Sequence, residues 1–359
     1  MFLKISGIIN PSTIYELSSL NSETLWLQIP AAKTPSIKQM AISSAADKLK
    51  YIAHTLAALQ DNSIPYVGKP SIIFFVAEQG ISLESKIDLV PSPLTELINI
   101  FSIEKKVQSI KKKTIQAKIE VINLSNTETL NSITGIINSN IARCTANFSH
   151  TAAMNEQQLA KAINIGRQSA QRIKLKGEQV FIASEINNTN TFSAIAIICA
   201  LFNMSPEQLN ERDSEKNKLI HLALNKHKDQ LTAPLDILRC LGSFEIAALT
   251  GSYLCCAHMG IPILINGIAS AVAALITTKI CHQAGRWFIY SQSSNNTTHA
   301  FILKTLKAKP LLQDTIIDTR LDNFSAIITA LTLLQCACNQ QSEETSVTEE
   351  KLLQRYSYI

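Results

Sequence analysis

Five short apolar runs punctuate this chain, at 71–77 (SIIFFVA), 119–124, 179–183, 261–265 and 287–291, and each gives way to polar or small residues and then to a helix-period segment. Uninterrupted apolar runs of this length read as strands buried on both faces. Helical periodicity marks 43–59, 155–175, 190–202, 244–258, 267–281, 298–306 and 325–338. Strands alternating with helices predict an α/β fold of three layers: a parallel, Rossmann-like sheet with helices on both faces, plus a smaller, mainly helical domain. The expected division is a helical part of the small domain over 1–65, a large α/β domain over 66–338 with a helical excursion near 203–234, and a polar, then acidic tail over 339–359.

Composition narrows the classes. Hydrophobic residues make up 46% and charged residues 17% of the 359, which excludes a disordered chain. Lysine and arginine number 33 against 28 acids, a net charge of +5 partly gathered in Lys105, Lys106, Lys111, Lys112 and Lys113. That cluster reads as a solvated helix face, and the absence of a zinc finger or helix-turn-helix pattern argues against nucleic acid as a partner. The eight cysteines, scattered through apolar stretches without C-x-x-C spacing, read as buried thiols in a reducing cytoplasm, with no metal. The uncharged stretch 261–278 reaches the lower length of a membrane span. Pro262, Asn266 and Gly267 make it more economical as strand, turn and buried helix, so no membrane association is expected.

In an open parallel sheet, ligands bind beyond the carboxyl ends of the strands. The segments there are polar: 185–191 (EINNTNT), Asn266-Gly267, and 292–299 (QSSNNTTH). The first opens a helix and offers free N–H groups to an anion, although Asn and Thr at such a place also serve as ordinary caps.

The order of several motifs is more specific than any one of them. Leu241-Gly242-Ser243-Phe244-Glu245-Ile246-Ala247, followed by 257–268 (AHMGIPILINGI), resembles the G-G-F-E-I-A and P-V-L-V-D-G-F stretches of the nicotinate-nucleotide–dimethylbenzimidazole phosphoribosyltransferase family. Arg143, Asn147 and Phe148 within 141–154 (IARCTANFSHTAAM) are similar to R-G-T-x-N-F. Residues 184–191 resemble G-E-M-G-I-G-N-T, 289–299 the segment ending E-P-G-H, 318–325 the pattern D-x-x-L-R-L-G-E-G-[ST], and 74–80 the strand ending A-D-H-G. The resemblance spans about residues 70–338.

It implies transfer of ribose 5-phosphate from nicotinate mononucleotide to a benzimidazole or related base, in a homodimer without a cofactor. The Glu of L-G-E-G serves that family as general base. Here Arg320 and Leu321 match R-L, and Asn323 stands at the Glu position with Asp322 before it. Carried over residue by residue, the catalytic candidates are Asn323, Asp322 and Glu185. The substrate-binding candidates are Asn190, Thr191, Lys216, Ser243, Phe244, Asn266, Gly267, His299, Arg320 and Leu321, with Lys216 a candidate phosphate partner. Asparagine is not a base, and the phosphate loop has exchanged glycines for Ser184, Asn187 and Thr189, in a chain with only 11 glycines. Two readings follow: an active transferase with a different acceptor base or a relocated catalytic carboxylate at Asp322, or an impaired homologue that binds a nucleotide or azole or acts as a partner subunit.

Overall fold

A computed structural model describes residues 44–85, 117–131, 136–186, 190–209, 214–293, 295–312 and 323–356. The lysine-rich stretch 105–113, Asn187 and Thr189 of the phosphate loop, and Arg320, Leu321 and Asp322 lie outside them.

Six strands form one wholly parallel sheet: β1 (Ser71–Val76), β2 (Lys118–Ser125), β3 (Ile136–Ala142), β4 (Phe181–Glu185), β5 (Ile263–Ile265) and β6 (Phe288–Tyr290), in the order β3-β2-β1-β4-β5-β6. Every residue of β1, β4, β5 and β6 is buried, as their unbroken apolar runs predict. β3 has no counterpart among the five apolar runs. It is an edge strand, largely open to solvent, whose Asn138-Ser139-Asn140 centre is polar.

The flanking helices are α1 (Ala45–Gln60), α2 (Gly80–Ser85), α3 (Glu128–Asn131), α4 (Glu156–Leu175), α5 (Asn190–Phe202), α6 (Ser214–His227), α7 (Pro234–Leu241), α8 (Phe244–His258), α9 (Ile268–Ile280), α10 (Thr297–Thr305) and α11 (Asn323–Tyr356). α4 begins with a capping box: the Asn155 side chain accepts from the Gln158 N–H at 2.8 Å, and Gln158 Oε1 accepts from the Asn155 N–H at 2.9 Å. α8 is buried along nearly its whole length and packs against α4, α9 and β4, which explains its apolar character on all sides. Arg172 and Lys176, at the end of α4, reach Glu120 of β2 and pin that helix across the sheet.

The excursion at 203–234 is helical, with α6 at its centre. The last helix differs from expectation. Periodicity ends at Cys338, but α11 continues to Tyr356, so residues 339–356 extend a helix that packs on α1. Residues 261–278 form β5, a turn and most of α9, and no helix among the described residues is long and apolar enough to cross a membrane. All eight cysteines are free thiols; contrary to a uniformly buried set, Cys336 is exposed and Cys144 and Cys255 are half-buried.

Candidate active site

The chain runs outward from β1 through β2 to β3, then returns to β4 and proceeds through β5 to β6. The order therefore reverses between β1 and β4, and the crevice beyond their carboxyl ends is where such sheets bind ligands. Glu185 is the last residue of β4 and lies in register with Phe75 of β1. It is 5% exposed.

Three groups converge on its carboxyl. Ser184 Oγ lies 3.2 Å and Ser270 Oγ 3.4 Å from Oε2, and the backbone N–H of Ala269, in the first turn of α9, also donates to it. The residue before α9, Gly267, has φ +87° and no side chain with which to cap the helix. The Glu185 carboxyl meets the helix end instead. Burial pushes its pKa up to about 7, against the opposing pull of these donors. A carboxyl poised there can both take and return a proton near neutral pH.

The neighbouring strand ends are tied to it. Ser184 Oγ also lies 3.2 Å from the Asn266 carbonyl oxygen, and Ser291 Oγ donates to Asn266 Oδ1 at 2.6 Å. Glu185, Asn266 and Ser291 thus join the ends of β4, β5 and β6. His299, in the first turn of α10, is 2% exposed, and its N–H donates to Asn296 Oδ1 at 3.0 Å. Burial lowers its pKa to about 4, which keeps the imidazole neutral.

α5 starts just beyond β4 with Asn190 and Thr191. The Lys216 ammonium of α6 stands 4.4 Å from the ring centroid of Phe192 in the first turn of α5. A cation beside a helix amino terminus is the electrostatic setting for a phosphate. On the other flank of β1, a cavity of about 390 Å³ is lined by Gly80, Arg143, Asn147 and His150, among others. The Gly80 N–H donates to the Thr145 carbonyl at 3.0 Å, which stitches the end of β1 to this loop.

Of the sequence candidates, Glu185, Asn266 and Gly267 come together around one carboxyl, and Thr191 and Lys216 share the start of α5. Ser243 and Phe244 play structural parts: Ser243 Oγ accepts from the Ile246 N–H at 3.2 Å at the start of α8, and Phe244 is fully buried there. Asn323 opens α11. Ser270, Ser291 and Tyr253 are not among those candidates; their single signal in the sequence is a polar atom inside an otherwise apolar run, as in Ile268-Ala269-Ser270-Ala271.

A buried acid at the switch point of a doubly wound parallel sheet, with a lysine over the first turn of the helix that follows, defines an α/β protein built to bind a ligand in that crevice. A phosphoribosyltransferase family model matches residues 37–351, and the chain belongs to that family. A nicotinate-nucleotide–dimethylbenzimidazole phosphoribosyltransferase of Pseudomonas syringae pv. syringae (strain B728a) is 29% identical over 352 residues, covering 93% of this chain and 99% of the relative. One from Xanthomonas campestris pv. campestris (strain B100) is 32% identical over 303 residues, covering 82% and 86%. The crystal structure of the Thermus thermophilus protein of that name shares the fold, with a TM-score of 0.71 at 22% identity over 88% of this chain and 93% of that one.

Proposed function

We propose that this protein transfers ribose 5-phosphate from nicotinate mononucleotide to a ring nitrogen of 5,6-dimethylbenzimidazole or a related base, releasing nicotinate and forming an α-ribazole 5′-phosphate for the lower ligand of cobalamin. The observation that carries this reading is Glu185, a buried carboxyl with a pKa of about 7 at the β1–β4 crevice. The incoming azole nitrogen attacks the sugar carbon while the nicotinate nitrogen leaves from the opposite face, so the configuration inverts. The leaving pyridinium is already positive, so it needs no acid. The proton on the other azole nitrogen must be removed, and Glu185 takes that part where Asn323 has no basic atom to offer. Lys216 and the start of α5 hold the phosphate, and the walls at Asn266 and His299 orient the sugar and leaving ring. By resemblance to the family the protein works as a cytoplasmic homodimer, with α1 in its smaller helical part.

Purified protein incubated with nicotinate mononucleotide and dimethylbenzimidazole is expected to yield ribosylated base and free nicotinate, read by mass spectrometry. Asn323→Glu separates the alternative reading. If that variant turns over and the parent chain does not, the native protein is an impaired homologue and its role is binding.

A further inference from the structure

Ser184 and Ser270 each have one hydroxyl hydrogen and, in reach of it, one oxygen of Glu185 and one backbone carbonyl, with the Tyr253 phenol a further neighbour of Ser270. For Ser184 these are Glu185 Oε2 and the Asn266 carbonyl oxygen, both at 3.2 Å. For Ser270 they are Glu185 Oε2 at 3.4 Å and the Ala183 carbonyl oxygen at 3.3 Å. Both serines are fully buried. We propose that these two serines are positioning residues that turn with the proton on Glu185, donating to the carboxylate when it is charged and to the two backbone carbonyls when it is neutral.

In both states each serine hydrogen finds an acceptor. With Glu185 ionised, Oε2 accepts from both hydroxyls and the N–H of Ala269 also donates to the carboxylate. When a proton arrives on Oε2, that oxygen becomes a donor and a serine oxygen accepts from it. The serine hydrogen then swings to its carbonyl. No heavy atom need move, and both serine hydrogens stay bonded. The proton entering is the one lost by the acceptor base, and it leaves Oε2 to solvent after the product departs.

β1 presents Phe75, β5 and its turn present Asn266, and α9 presents Ala269 and Ser270. The ionisable neighbour on α8 is Tyr253, which also approaches Ser270 and whose phenol burial holds neutral. Ser184 stands where the pattern this segment resembles carries glycine.

The inference rests on Glu185 as the base, but its test does not require turnover. The Glu185 carboxyl is titrated by infrared difference spectroscopy in the full chain, using Glu185→Gln as the blank. Ser184→Ala and Ser270→Ala are each expected to raise its titration midpoint by about one pH unit, about tenfold in the ionised fraction. Ser252→Ala, which removes a buried hydroxyl that bonds the Leu249 carbonyl, is expected to leave the midpoint in place. An unchanged or lowered midpoint in either Ser184→Ala or Ser270→Ala overturns the proposal. If both midpoints rise while no ribosylated product forms, the serine pair stands and the transferase reading falls.

Discussion

Gly166 of α4 and Gly251 of α8 face each other's helix backbone. A Cβ on Gly166 would stand 1.8 Å from the Ala248 carbonyl oxygen, and one on Gly251 would stand 2.2 Å from that of Ile163. In a chain poor in glycine, two are placed where helices cross too closely for any side chain. Because α8 packs on β4 as well as on α4, this crossing also supports the strand that ends in Glu185.

Replacing either glycine with alanine would gain about 1 kcal/mol of helix propensity in isolation. Overpacking typically costs about 1–3 kcal/mol and outweighs that gain here, because backbone and not a flexible side chain must yield. Urea unfolding of Gly166→Ala and Gly251→Ala is expected to show lower midpoints.

Glu185→Gln keeps the shape of the buried carboxyl and removes its proton chemistry. Transfer is expected to fall by about 10²–10⁴-fold with nucleotide binding retained, measured as kcat and as calorimetric affinity.

The same residue makes stability depend on pH. The folded carboxyl keeps its proton up to about 7, while the unfolded one releases it near 4.5. Between those values the folded state binds more protons, so stability is full below the window and falls as pH rises through it, by about 3 kcal/mol. Thermal unfolding of Glu185→Gln across pH 4 to 8 is expected to lose this contribution, so that its stability rises with pH between 4 and 6.5, where the His299 slope is left unopposed.

His299 imposes the opposite slope. Its pKa drops from 6.5 to about 4 on burial, so the unfolded state binds more protons between those values. Its contribution is full above 6.5 and is lost as pH falls to 4, by about 3 kcal/mol. Between 4.5 and 6.5 the two slopes oppose and largely offset each other in the parent chain, so in His299→Gln stability is expected to fall more steeply as pH rises through that range, the Glu185 slope standing alone.

Lys216→Ala removes the cation beside the start of α5. The KM for nicotinate mononucleotide is expected to rise about tenfold with a smaller effect on kcat, the pattern of a charge that grips phosphate in ground and transition states alike. Phe192 keeps its place, so α5 stays intact in circular dichroism.

Much of this architecture is legible in the chain. β1, β4, β5 and β6 announce themselves because burial on both faces demands unbroken apolar runs. β3 escapes because an edge strand has no such demand, and Asn138 and Asn140 look like a loop. The reach of α11 past Cys338 is hidden by a polar composition that exposed helices share with tails. At the site, Glu185, Asn266 and Lys216 are marked by their places after strands and by family motifs. Ser184 is visible only as a missing glycine, since the pair of acceptors that gives its hydroxyl meaning comes from the turn after β5 and from its own neighbour. Ser270 and Tyr253 sit inside apolar helices, where one polar atom leaves little trace in a periodicity.

The crevice needs β1 beside β4, yet Ile72 pairs with Ile182, more than a hundred residues away along the chain. Closing so long a loop comes before any contact can reward it, and non-local pairing of this kind slows folding. The central register is therefore a late event for a chain emerging in order, and Glu185 remains an ordinary solvated acid until β1 and β4 have met. Competence arrives in a single step, with the seam at the middle of the sheet.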